Sequence, residues 1–108
     1  MQLLIACHDE ELLEHKSELD EQLETWVKDN EHFSTVLDER SCALLVQVKK
    51  AEQLKLPLNF LYKMAKQYKL EFAICQLDEE SSEWEEVCYF GNEEGRPDIF
   101  EVACYVGL

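Results

Sequence analysis

Glycine and proline are scarce in this chain of 108 residues, with three of the first and two of the second. Gly91, Gly95 and Gly107 all fall near the C-terminus, so no glycine-rich loop is available to cradle a phosphate. Bases are also few: ten Lys and Arg stand against 24 Asp and Glu, a formal net charge of −14. Such a surface repels nucleic acid, and no DNA or RNA partner is expected. No apolar run approaches the length of a transmembrane helix, so no membrane partner is expected either. The N-terminal segment has no basic flank and only the short apolar run Leu3-Leu4-Ile5-Ala6-Cys7. That run is too short for a signal peptide, which makes the cytoplasm the expected location.

Motifs for metal or covalent chemistry are missing as well. No CxxC or HExxH occurs, and His8, His15 and His32 are not spaced to chelate together. The five cysteines are odd in number and each sits in an apolar segment. They read as reduced core thiols rather than a disulfide framework. Cys75, Cys88 and Cys104 would lie side by side if their segments formed neighbouring strands, a soft-metal arrangement weighed against the commoner buried thiol. Cys7-His8-Asp9 resembles a relay only on paper, because neighbours on a strand point to opposite faces. No catalytic, cofactor-binding or metal-binding residue is therefore assigned.

What the chain does have is charge in blocks and apolar residues in periodic patterns. Residues 1–40 carry −9, residues 41–70 carry +5 through six lysines, and residues 71–108 carry −10. Met1 to Cys7 suits a buried strand, with an early helical turn as the alternative. Asp9 is a candidate cap for a helix from about residue 10 to 30, whose stripe of Leu12, Leu19, Leu23, Trp26 and Val27 follows the 3.6-residue period. Residues 30–40 read as a connection anchored by Phe33, Val36 and Leu37. The near-continuous apolarity of residues 42–48 predicts a central strand buried on both faces. Pro57 suits the first turn of a second helix, with Leu56 extended before it. Leu58, Leu61, Tyr62, Ala65 and Tyr68 form that helix's apolar face.

Three strands are expected after it: residues 72–77, 84–90 and 99–106. The last is read from the alternation of Phe100, Val102, Cys104 and Val106. The order strand–helix–strand–helix–strand–strand–strand predicts one α+β domain over residues 1–108. Two helices would pack on one face of a mixed or antiparallel sheet of four to five strands.

The functional expectation rests on charge. Glu79, Glu80, Glu83, Glu85 and Glu86 surround Trp84, and Glu14, Glu18 and Glu21 line the outer face of the first helix. An aromatic amid carboxylates suits an anchor for a basic protein such as a nuclease or toxin, with acidity speeding the encounter. An acidic interaction or inhibitor protein is the leading expectation. A small-ligand-binding domain or small enzyme, with a pocket between helices and sheet, is the alternative. Homodimerisation through an exposed edge at residues 100–106 is a further expectation.

Overall fold

The computed structural model describes residues 1–7, 10–30 and 32–108. The strands are β1 (Gln2–Cys7), β2 (Phe33–Leu37), β3 (Cys42–Gln47), β4 (Glu71–Asp78) and β5 (Glu83–Gly91). The helices are α1 (Leu12–Lys28), α2 (Lys55–Tyr68) and α3 (Ile99–Val106). All strand pairs are antiparallel, and the sheet order is β2-β3-β1-β4-β5. The segment from β1 through α1 to β2 passes over β3, and the segment from β3 through α2 to β4 passes over β1. These interlocked split β-α-β units give the ferredoxin-like arrangement, extended here by the β4–β5 hairpin and α3. That scaffold hosts many unrelated activities, so it does not name one.

The α+β class and the antiparallel sheet with helices packed on it are as expected. Alternation along β1 sends Leu3, Ile5 and Cys7 to the helices, where their register partners Val46, Leu44, Cys42 and Ile74 join them. Leu12, Leu19 and Leu23 of α1, Leu58 and Leu61 of α2, and Val102 and Val106 of α3 close the same cluster. Burying each such leucine contributes about 1.5–3 kcal/mol. Trp26 stacks on Phe60 at 4.7 Å between ring centroids, tying α1 to α2. Phe72 stacks on Phe90 across β4 and β5 at 5.5 Å.

Three local readings change. Residues 33–37 form an edge strand instead of a connection, because Phe33, Thr35 and Leu37 alternate inward with Ser34 and Val36 outward. The β2–β3 turn is set by Asp38, whose Oδ1 accepts the N–H groups of Arg40 and Ser41 at 2.8 and 2.7 Å. Those donors hold its carboxyl below the ordinary value of 3.8. Pro57 is the third residue of α2, and Leu56 is helical and exposed rather than extended. A 3-10 turn, Ala51–Leu54, leads straight into the helix. The first helical N–H groups lack intrahelical partners, so a proline there loses no bond.

The third change is the largest. Residues 99–106 are a helix and not a strand, so the dimer expected through an edge at Phe100 to Val106 has no strand to form it. Ile99, Val102, Ala103 and Val106 satisfy the helical period as well as alternation satisfies a strand. The ends decide between them. Asp98 Oδ1 accepts the N–H groups of Phe100 and Glu101, and Gly107 closes the helix at φ 83°. These are the cap residues that favour a helix at either end. The proposed cap Asp9 lies outside the described residues.

Asp98→Ala should lower stability by about 1 kcal/mol, read by urea denaturation, through loss of the α3 cap. Gly91 has φ 154°, and a Cβ there would meet the Leu70 carbonyl oxygen at 2.5 Å and Glu71 Cα at 2.8 Å. Gly91→Ala should therefore cost about 2–4 kcal/mol in the same measurement.

Candidate protein-binding surfaces

The acidic cluster predicted at residues 79–86 is built by the β4–β5 hairpin. Asp78 shapes the tip: its Oδ1 accepts the Glu80 N–H at 3.0 Å, and its carbonyl accepts the Ser82 N–H at 2.7 Å. Ser82 turns the chain at φ 59°. Glu79 and Glu80 consequently sit at the tip, while Glu83, Trp84, Glu85 and Glu86 begin β5, all exposed. Pairing sets Glu83 opposite Asp78, Trp84 opposite Leu77 and Glu85 opposite Gln76. Alternation then turns Glu83 and Glu85 toward the helix side, and Trp84 and Glu86 toward the other face. Carboxylates thus flank the edge of the sheet from both sides.

The acidic row continues at the far end of β5. Glu71 accepts the N–H groups of Glu93 and Glu94 at 2.8 and 3.0 Å, which fixes the loop carrying those two acids. Gly91 and Gly95 exchange both backbone hydrogen bonds, closing that end of the edge. The neighbouring base, Arg96, lies over the Tyr62 ring at 5.6 Å.

The other predicted residues, Glu14, Glu18 and Glu21, are exposed on α1. They do not join the hairpin acids. The helix α1 packs against β2 and β3, and β5 is the opposite edge of the sheet. Glu18 and Glu21 instead approach α2, where burial and then these carboxylates push the Tyr68 hydroxyl up. The helix layer therefore sets an acidic helix beside one bearing Lys63, Lys66 and Lys69, whereas the β5 edge is of one sign. Among the described residues, none of the six lysines from Lys49 to Lys69 stands within ion-pair distance of a carboxylate; the ion pair present is Lys16–Asp20 at 2.6 Å.

Other chemistries find little support in the geometry. Cys75 faces away from the helices, Cys88 faces them, and Cys104 is exposed on α3, so the three do not converge. No group of three or more potential metal ligands gathers among the described residues. Cys7 is buried on the helix side of β1, and His8 and Asp9 lie outside the described residues. The helix–sheet interface, where the alternative reading expected a pocket, is filled by side chains. A hollow of about 660 Å³ lies instead at the strand ends, among Asn30, His32, Phe33, Lys49 and Leu56. No helix among the described residues is long and apolar enough to cross a membrane. Compared with protein-family models, curated proteins and solved structures, the chain has no match.

One surface was missed from sequence. The face of the sheet turned away from the helices is largely apolar, and its signal was the unbroken apolarity of residues 42–48. Burial on both faces was the correct reading of those side chains; what went unread is that no helix among the described residues covers the second face.

Thiol chemistry should follow burial. Burial, chiefly, pushes the Cys42 thiol up to about 12 and the Cys88 thiol up to about 11. Because the thiolate is the nucleophile, mildly alkaline iodoacetamide should label exposed Cys104 first. Cys42 should react only after unfolding, as read by peptide mass mapping over time.

Proposed function

We propose that this chain is an interaction protein whose acidic β5 edge receives a basic protein, as an inhibitor of a nuclease or toxin would. The observation that carries the reading is the row from Glu79 to Glu86, exposed, unrelieved among the described residues by any base within ion-pair reach, with Trp84 at its centre. Trp84 is 39% exposed, enough apolar ring to anchor a partner once carboxylates have drawn it in. The acids set encounter rate and partner choice, and the indole and its neighbours set residence time. The second acidic surface, on α1, lies beside the helix that bears Lys63, Lys66 and Lys69 and is assigned no part in docking.

The test is affinity capture from the source lysate, with the wild-type chain and two charge-neutralised variants. One carries Glu79→Gln, Glu80→Gln, Glu83→Gln and Glu86→Gln. The other carries Glu14→Gln, Glu18→Gln and Glu21→Gln. The expected result is a basic protein retained at low salt and released at high salt. The hairpin variant should lose it, with an association rate down by about tenfold or more, while the α1 variant keeps it. Failure of any basic protein to bind at low salt, or equal capture by the hairpin variant, would overturn the reading.

A further inference from the structure

A solvated face of an antiparallel sheet ordinarily reads polar, opposite an apolar face on the core. The outer face here does not. Its centre is Ala6, Ala43, Ala73 and Cys75, all at most 8% exposed yet outside the helix-side cluster. Leu4, Leu45 and Leu77 are half-buried beside them, and Val36, Trp84 and Tyr89 stand exposed at the two edge strands. The helices α1, α2 and α3 belong to the opposite side.

We propose that two copies of the chain meet on this face, packing sheet on sheet about a two-fold axis. Charge identifies the occupant. In a chain of net charge −14, a basic partner is drawn to the β5 edge, not to a surface with almost no carboxylate. The two acids bordering the face are both engaged: Glu86 accepts the Tyr89 hydroxyl, and Glu71 accepts the N–H groups of Glu93 and Glu94. Two like-charged copies approach most closely where carboxylates are fewest, and this face is such a place. Pairing of two β5 edges would instead set Glu83, Glu85 and Glu86 of each copy against the other's. The alanines at the centre leave room for a facing sheet at the usual separation of about 10 Å.

The area sets the strength. Five strands about 4.8 Å apart and about five residues long give a face of roughly 24 by 17 Å, or about 800 Å² over both copies. That lies below the range of about 1,200–2,000 Å² for stable complexes, so the dimer is reversible and weak. Its salt dependence has a definite sign. Added salt screens the repulsion between copies and should tighten the dimer several-fold, whereas docking of a basic protein on the β5 edge loosens with salt. The two proposals share Trp84, and the opposite sign of their salt dependence tells them apart.

Sedimentation velocity over micromolar to millimolar chain, at low and high salt, is the experiment. The mass should rise from one chain toward two with concentration, and more steeply at high salt. Ala43→Glu places a carboxylate at the centre of the face and should hold the protein at one chain throughout. Tyr89→Glu changes a residue that is 56% exposed, so the fold is kept, and it should also abolish the rise. Circular dichroism checks the fold of both, and Tyr89→Glu decides the matter where Ala43→Glu unfolds. A one-chain mass for the wild type under every condition would overturn the proposal. So would a dimer that persists in the folded variants.

Discussion

Everything in this molecule hangs on β1 being paired along both edges at once. It is the middle strand, with β3 on one side and β4 on the other; one long crossover starts from it and the other passes over it. Leu3, Ile5 and Cys7 are fully buried on its helix side. The chain's net charge of −14 repels itself in any compact state, so packing must outweigh it. Surface pairing does not help much. Lys16–Asp20, an i,i+4 pair on α1, is worth about 0.3–0.5 kcal/mol. Its gain is further reduced because Asp20 Oδ1 is buried without a hydrogen-bond partner. Stability rests on the leucines and phenylalanines under the helices.

How far the sequence announces this depends on whether each signal is local. The α1 stripe and the apolar face of α2 are repeats within one segment, and both were legible. Residues 99–106 were ambiguous because eight residues hold too few periods to separate alternation from a helical stripe. Asp98 and Gly107 carried the deciding information at the ends rather than in the middle. Residues 33–37 were too short, at five residues, to outweigh the polar turn that follows. Pro57 marked the helix correctly, but the 3-10 turn before it moved the start upstream.

The acidic surfaces divide on the same principle. Residues 79–86 are contiguous in the chain, so a hairpin gathers them whatever the rest of the fold does. Where Glu14, Glu18 and Glu21 sit relative to them is long-range information, and strand order supplies it by putting α1 and β5 at opposite edges. Strand order depends on which segments β1 pairs with, and no window of sequence contains that. The second apolar face of β3 shows the reverse case. Its pattern was visible, but whether a helix or another molecule covers it is a question about the whole sheet.

The two sheet edges show how one feature can serve two ends. Edge β2 is five residues long and bears small hydroxyl side chains at Ser34 and Thr35. Edge β5 is nine residues long, long enough to template a foreign strand unless it is guarded. Carboxylates on both of its sides, a register shift opposite Ile74 and Cys75, and the Gly91–Gly95 closure supply that guard. The guard acts through charge, because an edge of one sign resists pairing with the same edge of another copy. Confining the carboxylates to edges and helices also leaves the middle of the outer face free of them. The same distribution that closes the edge to self-pairing therefore leaves the flat of the sheet as the place where like molecules can touch.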